Sequence, residues 1–217
     1  MVPEKIFEDG FESGDLSKWS QSVIDRGNLS VSASAALVGS FGMQAVIDDN
    51  KAIYVTDESP AAEKRYRARF YFDPNSIAMA SGNAHNLFIG YMGTGTSVFS
   101  IEIRYTSSIG YQMRAGILND GGAWNYTGWF TISDQPHYIE IDWQASSTAG
   151  ANNGSLSFWI DGVQKIGLSA LDNDTRLVDR VRLGAVTGLD TGTRGTYYFD
   201  AFRSMRASYI GAEGVLP

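Results

Sequence analysis

Glu140 and Asp142 stand two residues apart in the run His137-Tyr138-Ile139-Glu140-Ile141-Asp142-Trp143, a spacing that puts both carboxylates on one face of a β-strand. Paired carboxylates perform glycoside hydrolysis, one as nucleophile or base and the other as proton donor. The next position on that face is Gln144, whose amide cannot donate a catalytic proton. A second group is cationic: Arg67, Arg69, Tyr71, Glu102, Arg104, Gln112 and Arg114 alternate with apolar residues and are expected to share a polar face. Guanidinium groups grip carboxylates in bidentate pairs, which suits an acidic glycan. Arg and Glu on neighbouring strands also pair with each other, which needs no ligand. A third group is aromatic, in Gly121-Gly122-Ala123-Trp124-Asn125-Tyr126-Thr127-Gly128-Trp129. Sugar rings stack their C–H faces on such side chains, whereas the alternative use of alternating aromatics is to pack a sandwich interior. Trp124, Tyr126, Trp129, Arg69, Tyr71, Arg104 and Arg114 are therefore the candidate ligand contacts.

Other chemistries are excluded or unsupported. The chain has no cysteine, so disulfides, thiolate metal sites and cysteine nucleophiles are absent. No Gly-x-Ser-x-Gly elbow occurs, and Gly93-Thr94-Gly95 has no Lys-Ser/Thr after it to hold a phosphate. The net charge of −7 disfavours nucleic acids and anionic membranes as partners. No apolar run approaches the roughly 20 residues of a membrane-spanning helix. Met1-Val2-Pro3-Glu4-Lys5 lacks the apolar core of a secretion signal, and the expectation is a mature region of a longer secreted protein.

The elements that must position these groups are strands. Period-2 alternation runs through residues 66–72, 98–105, 111–118, 137–143, 155–160, 178–185 and 196–204, with Gly, Asn, Asp and Ser between. Ser107-Ser108-Ile109-Gly110 reads as a hairpin turn, and residues 145–154 as the loop of a second hairpin. One helical turn is expected at 60–64. With 217 residues, no composition shift and no repeat, residues 1–217 are expected to form one all-β antiparallel sandwich domain.

Three segments carry a family resemblance. Gly10-Phe11-Glu12-Ser13-Gly14-Asp15-Leu16-Ser17-Lys18-Trp19 resembles the opening of bacterial jelly-roll carbohydrate-binding modules, and Gly195-Thr196-Tyr197-Tyr198-Phe199-Asp200-Ala201-Phe202 is similar to their last strand. The 137–143 strand, followed by a loop and Phe158-Trp159-Ile160-Asp161-Gly162, looks like a hairpin of concanavalin A-like and laminin G-like domains, and Trp19, Trp143 and Trp159, at motif-like strand or turn positions, are expected in the core. The resemblance implies a two-sheet jelly-roll sandwich whose first and last strands are neighbours. It also implies a structural calcium ion where they meet, with Glu12 and Asp200 as ligands and Asp9 and Asp15 as further candidates. Glycoside hydrolases of this fold carry Glu-x-Asp-x-(x)-Glu, which the 140–144 segment does not complete. Polysaccharide lyases of this fold line a sheet with Arg, Gln or Asn, His and Tyr. Residues 114–119 resemble an alginate-lyase strand, but the Gln-x-His element is missing. The two histidines carry no base in this reading: His137 starts a strand, and His85 sits in a surface loop at 80–86. The function implied is a non-catalytic polysaccharide- or surface-binding module of a secreted or cell-surface bacterial protein. The alternatives are a structural, adhesion or virion-decoration domain, and a lyase acting on uronate polymers.

Overall fold

The computed structural model describes residues 4–214. Its strands are, in chain order, β1 (Lys5–Asp9), β2 (Gln21–Val23), β3 (Leu29–Ser32), β4 (Gly42–Ile47), β5 (Ile53–Asp57), β6 (Arg65–Asp73), β7 (Ala84–Met92), β8 (Thr96–Thr106) and β9 (Gly110–Leu118). They continue with β10 (Trp124–Tyr126), β11 (Phe130–Thr131), β12 (His137–Gln144), β13 (Gly154–Ile160), β14 (Val163–Gln164), β15 (Leu168–Leu171), β16 (Arg180–Thr187) and β17 (Gly195–Met205). A nine-stranded sheet has the order β14-β13-β12-β6-β17-β4-β3, with β1 added to β17 and β15 to β13. An eight-stranded sheet has the order β10-β9-β8-β7-β16-β5-β2, with β11 added to β9. All pairings are antiparallel, so the all-β two-sheet sandwich expected from the alternation is the fold observed.

The alternation that makes these strands also fills the space between them. Tyr66, Phe70 and Phe72 from β6, Trp143 from β12, Phe158 from β13 and Phe199 from β17 project inward from the nine-stranded sheet, and Phe88 and Phe99 meet them from the eight-stranded one. Close ring contacts across the gap, Phe70–Phe88 at 5.5 Å and Phe99–Trp143 at 6.4 Å, lie in the range where aromatic pairs attract beyond their area burial. Gly90 is needed here, since a Cβ on it would stand 2.3 Å from the Phe99 ring. Apolar burial of this kind, at about 25 cal/mol per Å², holds the two layers together.

The chain ends meet as expected. β1 pairs with the second half of β17, Glu8 opposite Arg203 and Asp9 opposite Phe202, while the first half of β17 pairs with β4. The change of neighbour coincides with a bulge between Asp200 and Arg203, where Ala201 takes a left-handed conformation with φ of 47°.

Three expectations are corrected. Residues 60–64 are not helical: Ala62 has φ of 54° and Glu63 forms an isolated bridge with Val178, because the chain there is drawn flat against the end of the sandwich. His85 is not a surface loop residue. It lies in β7, only 2% exposed, with Nε2 2.8 Å from the Tyr197 hydroxyl. Trp159, whose strand position suggested the core, faces outward and is half-buried.

Candidate functional site

The outer face of the eight-stranded sheet is built by register. Opposite residues of antiparallel strands share a face, so the pairings Ser100↔Gly116, Ser100↔Ile89 and Ile89↔Arg182 define one row across four strands. Two residues along, Glu102 pairs with Arg114 on one side and Asn86 on the other; two further, Arg104 pairs with Gln112. β10 extends the face outward, with Tyr126 opposite Gly116 and Trp124 opposite Leu118. Gly116 has a specific use: a Cβ there would stand 2.6 Å from the Tyr126 ring and 3.2 Å from Ser100 Oγ, so its absence lets the ring lie flat on the sheet.

On this floor the guanidinium groups stack on rings. Arg114 lies 3.8 Å from the centre of Tyr126 and 4.5 Å from that of Trp129, and Arg104 lies 4.2 Å from Trp129. Trp124 stacks on Tyr126 with ring centres 5.6 Å apart and planes 14° from parallel. Each such cation–π contact contributes about 0.5–2 kcal/mol. Arg114 Nε donates to Glu102 Oε2 at 2.7 Å, whereas Arg104 Nε donates only to the neutral Gln112 Oε1 at 3.0 Å. Burial, and then the nearby Arg114 charge, lowers the Arg104 pKa from the ordinary arginine value. Tyr126 is pushed up, first by burial and next by Glu102, so its phenol stays protonated at neutral pH. Further across the face, Arg182 lies between Tyr54 and Tyr91, 4.6 and 4.9 Å from their ring centres. Asn86 Oδ1 and Ser100 Oγ are buried in the floor with no hydrogen-bond partner among the described residues, a costly condition for a polar atom.

The seven candidate ligand contacts therefore do not form one face. Trp124, Tyr126, Trp129, Arg104 and Arg114 come together on the eight-stranded sheet, while Arg69 and Tyr71 belong to the opposite, nine-stranded one. The division arises because β6 and the β8–β9 hairpin enter different sheets, which alternation alone cannot reveal. Arg182, Tyr54, Tyr91, Asn86 and Ser100 were not picked out from the sequence. For Tyr54 and Arg182 the signal was the polar–apolar alternation of β5 and β16, which reads the same for any half-exposed strand.

The outer face of the nine-stranded sheet is closed by the chain itself. Arg65 grips Asp142 in a bidentate pair at 2.9 and 2.6 Å, and Arg67 bonds Glu140 at 2.5 Å and Asp142 at 3.1 Å. Glu140, wholly buried, also accepts from the backbone N–H groups of Ile210 and Gly211. Arg69 pairs with Glu213 and donates to the Ala201 carbonyl at 2.8 Å, and the Glu213 N–H reaches the Tyr71 hydroxyl at 3.0 Å. Arg67 lies 4.6 Å from the ring centre of Trp159 and 4.8 Å from that of Tyr209. The carboxylates that resembled an incomplete hydrolase set are thus fixed as ion-pair partners.

The four acids expected to hold calcium separate into two kinds. Glu12 and Asp200 line one cavity of about 190 Å³ together with Gly10, Val38 and Gly39. Asp200 accepts from the N–H groups of Leu37, Val38 and Ala201, and Glu12 Oε1 from those of Ser40 and Phe41. The Asp200 carboxyl is pushed up to about 6, chiefly by burial, with the Glu12 charge adding to it. Two hard-oxygen donors repelling each other across one cavity fit a divalent cation. Asp9 is instead bonded to the Phe11 N–H and the Trp19 indole N–H, and Asp15 holds its turn through Ser13 and Ser17. Neither lines the cavity. Two other acidic groups, Asp25 with Asp48 and Asp49, and Asp120 with Asp172 and Asp174, carry their own cations: Arg26 and Lys51 for the first, Arg176 for the second.

Neither a family model nor a curated protein sequence matches the chain. Solved structures do. Alginate lyase Aly36B superposes with a TM-score of 0.67 and 10% identity, over 96% of this chain and 100% of that one. Domain 4 of AbnA, a GH43 extracellular arabinanase from Geobacillus stearothermophilus, was solved with arabinotriose. It gives 0.57 and 14% over 94% and 92%. The receptor-binding domain of the botulinum neurotoxin C/D mosaic gives 0.61 and 10%, this chain covering 95% of its own length and 49% of the toxin domain's. At such identities the likeness is one of fold, and sites must be argued from residues: the chain shares the β-sandwich of saccharide-binding, lyase and receptor-binding domains.

Proposed function

We propose that the protein is a non-catalytic saccharide-binding module whose ligand lies on the outer face of the eight-stranded sheet. The observation that carries this reading is the stack of Arg104 and Arg114 on Trp129 and Tyr126 above the unpartnered Asn86 and Ser100 oxygens. Rings supply the flat apolar surface that sugar C–H faces need, guanidiniums and amides supply donors and acceptors for hydroxyl and acidic groups, and ring stacking fixes them in advance of binding. The likeness to domain 4 of AbnA, solved with arabinotriose, supports it. Affinity electrophoresis through neutral and acidic polysaccharides tests it: retardation that Trp129→Ala reduces is the expected result, and no retardation by any polymer rejects it.

The likeness to alginate lyases favours a second reading, a lyase acting on uronate polymers. Elimination needs a base beside the sugar C–H. His85 is buried between the sheets, and His137 lies on the other sheet, bonded to Asp161 and Ser133. Tyr91 and Tyr126 are on the right face, but burial raises both and keeps them as proton donors. Ultraviolet absorbance of unsaturated products during incubation with uronate polymers would establish the lyase. A third reading, a structural or adhesion block, is supported if a symmetric assembly covers Trp124 and Trp129.

The chain's setting in this reading is extracellular or at the cell surface, within a longer parent protein; AbnA is an extracellular enzyme. No helix among the described residues is long and apolar enough to cross a membrane. Glu12 and Asp200 would hold a structural calcium ion that ties the turn after β1 to β17. Calcium added to metal-stripped protein should then raise its melting temperature, by about 2.7 kcal/mol of stabilisation at a hundredfold excess over Kd. Asp200→Asn should remove that response, and an unchanged melting temperature in the native protein rejects the ion.

A further inference from the structure

The saccharide face has two cationic anchors, not one. Among the described residues, Arg114 pairs with Glu102 and Arg180 with Glu58, but Arg104 and Arg182 have no carboxylate partner. In a chain of net charge −7, these two guanidiniums are uncompensated on the same face, and each lies over aromatic rings: Arg104 over Trp129, Arg182 over Tyr54 and Tyr91. The Arg182 cradle stands on Ile89, Tyr91 and Val186, an apolar cluster separate from the sandwich core and packed with Tyr54 on the solvent side of the sheet.

Their separation follows from the register. Arg104 is four positions along β8 from Ser100, which aligns through Ile89 with Arg182 two strands away. At ~3.3 Å per residue and ~4.8 Å per strand, the two backbone positions are about 16 Å apart on a diagonal. The buried, unpartnered oxygens of Asn86 and Ser100 lie between them. We infer that Arg104 and Arg182 are the two ends of a track that recognises an extended acidic polysaccharide, each anchor taking an anionic group from sugars several rings apart. This rests on the saccharide-binding reading and names its ligand class: a linear polyanionic glycan, bound along its length and not by its end.

Two anchors on one chain make the second contact intramolecular, so affinity rises steeply once the ligand spans both. The test is calorimetric titration of the full chain with size-defined uronate oligomers from dimer to octamer, and with sulfated oligomers of equal length. A rise of about tenfold or more at one intermediate length is expected, and Arg182→Met or Arg104→Met should each erase the step with the circular dichroism spectrum unchanged. A step with sulfated chains alone supports the two anchors and assigns the anion as sulfate. Binding that is independent of length, or a step that survives Arg182→Met, overturns the inference while leaving the face a saccharide site. Absence of binding by every oligomer and every neutral polymer overturns the function itself.

Discussion

On the outer face of the nine-stranded sheet, Arg65, Arg67 and Arg69 close on Asp142, Glu140 and Glu213, and residues 206–213 lie over them. On the outer face of the eight-stranded sheet, Arg104 and Arg182 rest on rings and form no ion pair with an acid among the described residues. Both faces alternate arginine with aromatic and polar residues, and in sequence they look alike. The difference is in what the fold brings opposite each arginine. Where β12 delivers Glu140 and Asp142 beside β6, the charges neutralise each other and contribute to stability. Where β5, β7 and β8 deliver Tyr54, Asn86, Tyr91 and Ser100, the charges stay available. A guanidinium marks a binding site only when the structure withholds its carboxylate.

Substitutions on the closed face should act on folding. Glu140→Ala strips the buried Arg67 of one partner and orphans the N–H groups of Ile210 and Gly211, and a loss of about 3–5 kcal/mol is expected in urea unfolding. Glycan affinity should be unchanged in the folded fraction. A loss below about 1 kcal/mol would break the contrast between the faces.

The interior shared by both faces has its own titration. His85 is held at about 4 by burial, below its ordinary 6.5. The folded state keeps it neutral, so as pH falls below 6.5 the unfolded chain binds the proton first. Stability is fully present above that pH and declines by about 3 kcal/mol as pH approaches 4. Asp200 works in the opposite sense: its carboxyl, raised to about 6, costs stability as pH rises from 3.8 to 6. Comparing the pH dependence of unfolding in the native protein and in His85→Gln isolates the histidine. The variant should lose the acid-side decline, and identical slopes would contradict the burial of a neutral imidazole.

Smaller effects sharpen the contrast. Trp129→Ala removes the ring beneath both Arg104 and Arg114 and should weaken glycan binding about tenfold, as loss of two cation–π supports implies, while stability changes by less than about 1.5 kcal/mol. Weakened folding with intact binding would assign Trp129 to the core instead. Glu213→Gln touches the most exposed partner of the closed face and should cost about 1 kcal/mol or less, with affinity unaltered. A gain in glycan binding from this change would show that the segment over the nine-stranded sheet masks a site.

The alternation of residues 66–72, 111–118 and 137–143 was legible as strands, and the observed β6, β9 and β12 differ from those spans by a residue or two at their ends. The acid-rich opening and the last strand were legible as neighbours, because the motif residues carried that relation. β7 was not: Ala84-His85-Asn86-Leu87-Phe88-Ile89-Gly90-Tyr91-Met92 is interrupted by two bulges, which break the period of two and hid His85 in an apparent loop. Membership of a sheet was not legible either. Arg69 and Arg114 obey the same local pattern, and only long-range pairing assigns them to opposite sides. For that reason Trp124, Tyr126 and Trp129 were recognisable as a candidate platform, whereas Arg182 with Tyr54 and Tyr91, assembled from distant segments, was not.

Backbone amide shift perturbation during titration with an acidic polysaccharide oligomer tests the contrast of the two faces most directly. Perturbations concentrated on β8, β9, β10 and β16, spanning Arg104 to Arg182 and sparing β6, β12 and β13, are the expected result. Perturbations centred on Arg67, Arg69 and Trp159 would contradict it.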